Sequence, residues 1–546
     1  MELLKEEQCS GLGIDHLGLV ADKIEDLDLI DLIDKRLPIQ GNGSKTTMGE
    51  RVAAMILNGL GFVDGRLYVF PEFLSKRPVA RLFGKPMQAS WFNDDALGRC
   101  LDKIAAYGTT KLFTELSFAI GKQKKLLGRS AHFDTTTLQL YGAYDLQVNE
   151  DEPVPARGYS KSKRHDLKQM VLNLATTGKA AFPIWMSSHS GNSSDKKILS
   201  DASSRMHALC EQLSGVEDFI YVGDSAMYSN ILPHASQMKW LSRVPDNILQ
   251  AKQLLTQEDA SLNWQPLDNG YRYHACQCDY KGVKQRWLLI HSEQSYQRGI
   301  KTLDKKISSE HADYKKRWWH LGNEVFVCEK DAQRAAIKLG KKMTFHKATY
   351  SVVAKKGQAS RGRPSADVSP IIKGYQITWS LEEHGEAIEL AKRRKGRFIL
   401  STNELDLEKL PDAEVLSEYK AQSGTEGGFK FIKNNAFEVD SVFLKTPRRI
   451  DALMMIMTLC LMVYGVSQYE LRESLQKAGD YVPDQRRKPT NKPSMKWVYF
   501  LFQGVQEWTV ELPNRSQTLI INVNDLLKLI LKHFGPRARA IYLNTT

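Results

Sequence analysis

The sequence predicts an α/β protein in which a helical segment precedes a core of mixed strands and helices, and in which a β-rich insertion interrupts that core. Three observations predict this class. Helical periodicity dominates up to about residue 125, alternating and β-branched segments follow, and a long stretch with its own strand pairs divides the core. At 546 residues the chain exceeds the roughly 250 to 300 residues that one hydrophobic core supports, so several units are expected.

Residues 1–125 form the predicted helical N-terminal domain. Two amphipathic stretches, TMGERVAAMILNGLGF and NDDALGRCLDKIAAY, each begin with a residue that favours a helix N-cap. The segment is not conspicuously basic, so a plain helical bundle and a domain that binds DNA ends both remain open.

The first part of the core is predicted over residues 126–245. Three strand candidates follow one another, SAHFDTTTLQLYG, KQMVLNLATT and AFPIWMSSHSG, and then come a helix and two short strands in DFIYVGDSAM and KWLSRVP. Three strands, a helix and a further strand are the opening of a ribonuclease-H-like domain. Periodicity alone does not establish that topology, so motifs must decide.

The β-rich insertion is predicted over residues 246–395, which contain the strand pair YRYHACQCDYKG and KQRWLLIHS. The core is expected to resume over residues 396–475, from the strand GRFILSTNE to an apolar helix. Residues 476–546 are predicted to form the basic linker QRRKPTNKPSMK and a small unit with strands YFLFQGV and EWTVEL.

Composition and charge restrict the function classes. Lys and Arg number 76 against 63 Asp and Glu, and the resulting charge of +13 favours a polyanionic partner such as nucleic acid. Seven cysteines without framework spacing and the lack of a secretion signal predict a cytoplasmic protein. The apolar run from Ala452 to Val466 falls short of the roughly 20 residues that cross a bilayer, so we expect a buried helix and no membrane partner.

Two aspartates follow from the strand pattern as candidate catalytic residues. Asp134 lies in the β-prone segment AHFDTTTLQL, and Asp224 comes just past the short apolar run of FIYVGDSAM. Ligand sites of α/β proteins gather at strand ends. A lone aspartate in a strand is also common at a turn or an edge, so position alone does not assign the role.

Glu426 is the third candidate, in the predicted helix SEYKAQSGTEGGFKFIKNN. Tyr419, Gln422, Lys430 and Lys433 precede and follow it at steps of three and four residues, which places all five side chains on one helix face. A hydroxyl, an amide, one acid and two cations suit a metal-bound phosphate. A solvated face with i,i+4 pairing explains the spacing alone better, so the pattern is weak by itself.

Three separated carboxylates suit phosphodiester cleavage. Two Mg²⁺ or Mn²⁺ ions stabilise the entering and leaving oxygens, and oxygen ligands suit such hard cations. In this hypothesis Asp134 bridges both ions, while Asp224 binds one and Glu426 the other. Lys430 and Lys433 then neutralise nearby backbone phosphates.

Other patterns favour simpler interpretations. His274, Cys276 and Cys278 alternate along a strand and lack a second pair at zinc-finger spacing, so zinc is not expected. The segment GYSKSKR has no Walker pattern, and we expect no nucleotide cofactor. The basic runs AKRRKGRF and QRRKPTNKPSMK are solvated faces or DNA contacts, and the overall charge favours DNA.

The segment from Tyr419 to Lys433 resembles the catalytic-glutamate region of bacterial insertion-sequence DDE transposases of the IS-four superfamily, which carry a Tyr-Arg-Glu-Lys signature. Tyr419, Glu426 and Lys433 match that signature, and Gln422 replaces its arginine. Upstream, HFDTTT, GNSSDKK and VGDSAMYS resemble the first-aspartate strand, the loop before the helix and the second-aspartate strand, in the same order.

The resemblance implies a DNA transposase with a ribonuclease-H-like core, an insertion domain before its glutamate and two divalent ions at the three acids. It implies a cut-and-paste reaction on double-stranded DNA with terminal inverted repeats, joining to target DNA, and a homodimer on paired ends in the bacterial nucleoid. Tyr419, Gln422, Lys430 and Lys433 are the DNA contacts that the signature implies. An inactive DNA-binding descendant and a nuclease that does not join strands are the alternatives.

Overall fold

The computed structural model divides into two compact units, Met1–Ser242 with Glu414–Thr546, and Arg243–Ala413. The structure describes residues 9–39, 43–61, 70–140, 144, 152–158, 164–212, 219–234, 236–357, 371–422, 424, 427–429, 444, 446–512 and 515–543.

The first unit begins with a strand and seven helices. Caps explain where two of these helices start: Thr47 and Glu50 form a capping box, and Asn93 accepts a hydrogen bond from the backbone N–H of Ala96. The elements are β1 (Cys9–Gly13), α1 (Leu17–Asp26), α2 (Leu29–Arg36), α3 (Met48–Leu60), α4 (Phe70–Ser75), α5 (Val79–Phe83), α6 (Asp94–Tyr107) and α7 (Thr109–Gln123).

Five strands and two helices follow, and all but the second, short helix lie at positions that the sequence predicts. They are β2 (Ser130–Leu140), β3 (Lys168–Thr177), β4 (Phe182–Ser190), α8 (Asp195–Gln212), β5 (Ile220–Gly223), α9 (Ser225–Ile231) and β6 (Lys239–Arg243). The strand order is β4-β3-β2-β5-β6. The first three strands form an antiparallel meander, whereas β5 runs parallel to both β2 and β6. This sheet is therefore mixed.

The second unit contains α10 (Leu249–Thr256), β7 (Gln265–Leu267), β8 (Tyr271–Tyr280), β9 (Val283–Ser292), α11 (Glu293–Asn323), α12 (Glu329–Gly340), β10 (His346–Gly357), β11 (Ile371–Glu383), α13 (Gly385–Arg393) and β12 (Arg397–Thr402). Strands β12, β9, β8 and β7 pair antiparallel in that order. Strands β10 and β11 form a separate ribbon.

This unit differs from the β-rich insertion expected over residues 246–395. It extends to Ala413, because β12, which the sequence assigned to the resuming core, pairs with β9 through apolar partners such as Phe398 and Ile290. It also contains the 31-residue helix α11. Buried Tyr314 and Trp318 of that helix pack with Ile377 of the ribbon, so helix and ribbon share a small core.

The first unit resumes with α14 (Asp412–Lys420), α15 (Pro447–Ala478), β13 (Val482–Pro483), β14 (Pro489–Thr490), α16 (Met495–Leu501), β15 (Gln506–Leu512), β16 (Arg515–Ile521), α17 (Asp525–Lys532) and α18 (Pro536–Leu543). Helix α15 is long and apolar enough to cross a membrane, but 78% of its apolar window is buried inside the protein. It is therefore the buried core helix that the run from Ala452 to Val466 predicts.

Two features of the C-terminal part differ from expectation. The segment YFLFQGV begins inside helix α16, because the Ser494 side chain caps that helix by accepting a hydrogen bond from the Trp497 backbone N–H. Strands β15 and β16 form a three-stranded sheet with β1, in which Gly11 lies opposite Trp508. The predicted C-terminal unit is thus joined to the start of the chain.

Candidate active site

Strand pairing brings the two predicted aspartates together. Strand β2 runs parallel to β5, with Ala131 opposite Tyr221 and His132 opposite Val222. The paired residues end there. If the same register continues for two more residues, Asp134 lies opposite Asp224, and neighbouring strands are about 4.8 Å apart. Asp134 is half-buried and Asp224 is exposed. The two aspartates therefore occupy neighbouring positions on two interior strands, beside the carboxyl end of β5, although 90 residues separate them in the sequence.

Asp224 occupies the turn between β5 and α9. Its Oδ1 accepts a hydrogen bond from the Ala226 backbone N–H at 2.8 Å, so it is the N-cap of α9. The Ser242 hydroxyl donates to the Asp224 backbone carbonyl at 2.7 Å. A Cβ at Gly223 would lie 2.8 Å from the Met227 sulfur, so glycine allows the sharp entry into the helix. Hydrogen bonds therefore hold both the side chain and the backbone carbonyl of Asp224.

Asp134 lies in the middle of β2, and its Oδ1 accepts a hydrogen bond from the Thr135 backbone N–H at 2.7 Å. His132 is two residues earlier and therefore lies on the same face of the strand. Burial lowers the pKa of His132 to about 4, against the weaker raising effect of Glu418. The imidazole is therefore neutral at pH 7 and does not offset the charge of the aspartates.

Helix α14 is fastened to the start of β2. The Arg129 guanidinium donates to Glu418 at 2.9 Å and also forms an ion pair with Glu414. The Ser130 hydroxyl donates to the second oxygen of Glu418. Charge-assisted bonds of this kind are stronger than neutral ones, so they fix the helix beside the strand that carries Asp134.

Gln422 continues this row of contacts. Its side-chain amide donates to the Phe133 carbonyl at 3.3 Å, one residue before Asp134. Glu414, Glu418 and Gln422 are spaced by four residues, which is the repeat of one helix face. The row therefore advances along β2 from its first residues toward Asp134.

The helix does not run on unbroken, as the spacing from Tyr419 to Lys433 suggested. Helix α14 ends at Lys420, and the backbone N–H groups of Gln422 and Gly424 donate to carbonyls three residues earlier, at 3.3 and 3.0 Å. Such tighter turns are common at helix ends. Residues 424 and 427–429 are helical again, so the turn at residues 421 and 422 interrupts the predicted helix.

The structure describes only some of the predicted site residues in this segment. Tyr419 is half-buried at the end of α14. Glu426, Lys430 and Lys433 lie outside the described residues. Their neighbours are placed: a Cβ on Gly424 would lie 2.5 Å from that of Ala181, and one on Gly428 would lie 2.9 Å from the Leu461 side chain.

The carboxylates of Asp134 and Asp224 suit divalent ions. Asp134 and Asp224 supply carboxylate oxygens, the ligands that Mg²⁺ and Mn²⁺ prefer. One oxygen of Asp224 is used by the helix cap, which leaves the other for an ion. Within the described ranges, no group of three or more His, Cys, Asp or Glu residues could hold a metal. The two aspartates fit part of a site that a further acid must complete.

Sequence reasoning missed the residues that support this site. Arg129 and Glu418 fasten α14 to β2, and Ser242 holds the backbone at Asp224. The four-residue spacing of Glu414, Glu418 and Gln422 was available as a signal, but their partners lie almost 290 residues away in the chain. Spacing alone does not identify such partners.

Comparison with protein families identifies the chain. A family model described as a transposase DDE domain matches residues 133–463, which is more than half of the sequence. The chain belongs to the DDE transposase family. It is accordingly a metal-dependent, DNA-cleaving transposase. A second model, for a domain of unknown function (DUF4277), matches residues 10–118 of this transposase.

Other comparisons add little. No curated protein matches the transposase significantly. Among solved structures, it is similar to a cryo-EM structure of a piggyBac transposase synaptic complex with hairpin DNA, at 11% identity and a TM-score of 0.35, over 89% of this chain and 80% of that one. A likeness this weak carries no argument about mechanism.

Proposed function

We propose that this DDE transposase performs cut-and-paste transposition, with Asp134, Asp224 and Glu426 as the ligands of two divalent ions, Mg²⁺ or Mn²⁺. The observation that supports the proposal is the parallel register of β2 and β5, which pairs His132 with Val222 and, continued by two residues, leads to Asp134 and Asp224. Aspartates at a helix cap or in a strand are common separately, but neither capping nor strand formation requires them to meet.

A ribonuclease-H-like core is the architecture that we propose for this site. An antiparallel meander of three strands, followed by two strands parallel to its first, supports that topology. Asp134 is on the first strand and Asp224 follows the fourth, so both acids come from the centre of the sheet. The insertion between the second aspartate and the glutamate corresponds to the unit Arg243–Ala413.

The assignment of Glu426 rests on the contacts that precede it. Glu418 contacts Ser130, and Gln422 contacts Phe133. Glu426 follows Gln422 by four residues in the sequence, and the residue that Gln422 contacts is followed directly by Asp134. We therefore assign Glu426 as the acid that completes the site.

The chain's own residues prepare this site for phosphoryl transfer. When bound, two divalent ions stabilise the attacking and leaving oxygens of an in-line displacement. The backbone N–H groups of Thr135 and Ala226 orient the carboxylates of Asp134 and Asp224. Buried His132 stays neutral and leaves the negative charge of the acids available for cations.

DNA is the partner of this enzyme. The kind of DNA end that it binds and the dimerisation of the protein are part of the proposal. We propose double-stranded DNA with terminal inverted repeats as substrate, target DNA as acceptor, and a homodimer that pairs two ends in the bacterial nucleoid. Tyr419, Lys430 and Lys433 are assigned to end contacts in the manner of an IS-four Tyr-Arg-Glu-Lys signature. Gln422 stands at the arginine position of that signature, and its side-chain amide donates to the Phe133 carbonyl.

The test combines single substitutions with a strand-transfer assay. Asp134→Asn, Asp224→Asn and Glu426→Gln are each compared with Asp525→Asn, an exposed control of equal charge change. Labelled duplexes from both flanks of the coding region are incubated with Mg²⁺ and a target plasmid. Each of the three site variants should lose cleavage and joining while retaining duplex binding, and the control should keep all three activities.

The products separate the alternatives. Cleaved ends joined to plasmid support cut-and-paste transposition. Cleavage without joining supports a nuclease, and binding without cleavage by the wild-type protein supports an inactive DNA-binding descendant. Full cleavage by any of the three site variants would remove that residue from the assignment.

A further inference from the structure

A short basic hairpin, residues 481–496, follows α15 and includes the first two residues of α16, where the sequence predicts a basic linker. It carries five exposed cations: Arg486, Arg487, Lys488, Lys492 and Lys496. In the part of the chain that the structure describes, none of these side chains forms an ion pair with a carboxylate. The neighbouring acids are already engaged, since Asp480 pairs with His533 and Glu473 pairs with Lys477.

The tip of the basic hairpin is held in one conformation by Asp484. The Asp484 carboxylate accepts hydrogen bonds from the backbone N–H groups of Arg486 and Lys488, each at 2.8 Å. The Asp484 N–H donates to the Lys488 carbonyl at 2.7 Å, and Arg487 adopts a left-handed φ of 62°. The cations at 486, 487 and 488 therefore leave the turn from a fixed backbone, which lowers the entropy cost of binding.

Helix α15 anchors the base of the basic hairpin. The Arg472 guanidinium donates to the Pro493 carbonyl at 2.8 Å, and the Gln468 side chain accepts from the Met495 N–H at 2.9 Å. The Tyr464 hydroxyl accepts from the Lys496 N–H at 3.0 Å. These contacts tie the hairpin to the helix that packs against β2.

Aromatic side chains contact the basic hairpin. The Trp497 indole donates to the Pro483 carbonyl at 2.7 Å and stacks on Phe500, with ring centroids 5.2 Å apart. Phe500 is 56% exposed and Tyr481 is 55% exposed. Exposed aromatics beside unpaired cations are typical of surfaces that meet nucleic acid.

We propose that the basic hairpin is a second DNA-binding surface, which grips the phosphate backbone of duplex DNA away from the cleavage site. The inference rests on the family's action on DNA, but not on the assignment of the three carboxylates. Among the described residues, the five cations form no ion pair, and a preformed turn that presents them suits a regular row of phosphates.

The spacing along α15 suits one continuous duplex. Met457 and Leu138 of β2 line the same small apolar pocket. Tyr464 and Arg472, which hold the hairpin, follow Met457 by roughly 10 and 22 Å along the helix axis at about 1.5 Å per residue. Both distances are shorter than one turn of DNA, about 34 Å. A duplex that reaches the site at β2 therefore has length enough to meet the hairpin.

Salt-dependent binding tests the proposal on the full-length protein. The variant Arg486→Gln/Arg487→Gln/Lys488→Gln is compared with Lys103→Gln/Lys125→Gln/Lys532→Gln, which removes three exposed cations elsewhere in the same unit. The probe is a labelled 40-base-pair duplex of arbitrary sequence, titrated between about 50 and 200 mM salt, where phosphate contacts dominate affinity. A single-stranded 40-mer serves as the second probe.

We expect the hairpin variant to bind the duplex about ten- to a hundredfold more weakly at 50 mM salt, and the slope of log K against log salt to become shallower by about 2 to 3. The control triple should change both quantities much less. Trp497→Phe, which keeps the ring stack but removes the bond to Pro483, should weaken binding without changing the slope. Equal losses in both triples, or a loss confined to the single strand, would overturn the proposal.

The binding experiment distinguishes a failure of the hairpin proposal from a failure of the active-site assignment. Duplex binding needs no cleavage, so it is measured equally well with Asp134→Asn protein. Loss of binding by the hairpin variant in that background supports the surface whether or not the carboxylate is catalytic. Unchanged binding in that background overturns the surface and leaves the carboxylate assignment standing.

Discussion

The side-chain amide of Gln422 donates a hydrogen bond to the backbone carbonyl of Phe133, the residue before Asp134. Phe133 is fully buried in β2, so its carbonyl is a fixed point in the sheet. The segment that leads to Glu426 is therefore tied to the strand that carries the first aspartate. Gln422, at the position where the Tyr-Arg-Glu-Lys signature has arginine, therefore connects the segment before Glu426 with strand β2.

Replacing Gln422 tests this connection. Gln422→Ala should slow single-turnover cleavage about fivefold, because a net hydrogen bond contributes about 1 kcal/mol. Duplex affinity should not change, since glutamine carries no charge. Gln422→Arg should keep cleavage and make the salt slope of binding steeper by about 0.9, the value of one added phosphate contact. Gln333→Ala, at an exposed glutamine, is the control. Wild-type cleavage by Gln422→Ala would contradict the connection.

The two glutamates that hold Arg129 should differ in their contributions to stability. Glu418 is 21% exposed at its side chain and also accepts from Ser130, whereas Glu414 is 50% exposed. Glu418→Ala should lower the free energy of unfolding by about 1 to 2 kcal/mol, and Glu414→Ala by less than about 0.5 kcal/mol, as expected for an exposed pair. Urea unfolding of both variants measures this difference. Equal effects would mean that Arg129 does not distinguish its partners.

Divalent ions should stabilise the folded transposase through Asp134 and Asp224. Opposed carboxylates repel each other, and an ion that binds only the folded state stabilises it by about 2.7 kcal/mol at a hundred times its Kd. Mg²⁺ or Mn²⁺ should therefore raise the Tm of the wild type. Asp224→Asn keeps the helix cap, because asparagine also caps, but should lose most of this shift. A full metal-dependent shift in Asp224→Asn would exclude its carboxylate as a ligand.

Stability should fall as the pH is lowered from about 6.5 toward 4. Burial lowers the pKa values of His16, His132 and His189 to about 4, from 6.5 in the unfolded chain. Between these values the unfolded chain binds protons that the folded protein does not, so protonation favours unfolding. Each histidine adds a slope of up to about 1.4 kcal/mol per pH unit, and the stability from this source is complete above pH 6.5.

Denaturant unfolding at several pH values measures that slope. His189→Gln removes one of the three groups and should flatten the dependence by about one proton. Gln333→Ala, at an exposed side chain that does not titrate, is the control and should leave the slope unchanged. A pH dependence of His189→Gln as steep as that of the wild type would contradict the burial of this imidazole in its neutral form.

Local patterns predicted the strands that carry the aspartates, because alternation and apolar runs are properties of consecutive residues. Strands β2 to β6 lie where the sequence places them, and Asp224 follows its strand as expected. The opposition of Asp134 and Asp224 was inferred only from chemistry and resemblance. It depends on the parallel register of β2 and β5, which no local pattern encodes.

Longer-range features were less predictable. The residues of YFLFQGV suit a strand by composition, but the Ser494 cap and the contacts of Met495 and Val498 with the core favour a helix. Strand β12 pairs with β9, whose residues lie more than 100 positions earlier, and no local pattern encodes that pairing. Partners such as Gln422 and Phe133 are beyond sequence patterns for the same reason.

The pairing of β1 with β15 has a consequence for how the polypeptide matures. Cys9 lies opposite Val510, so the first described strand finds its neighbour only after some 500 further residues have left the ribosome. At about 5 to 20 residues per second, the nascent chain waits roughly 25 to 100 seconds before this sheet can close. A prematurely terminated product lacks the partner strand and keeps an open edge, which exposes it to aggregation and to the cell's proteases.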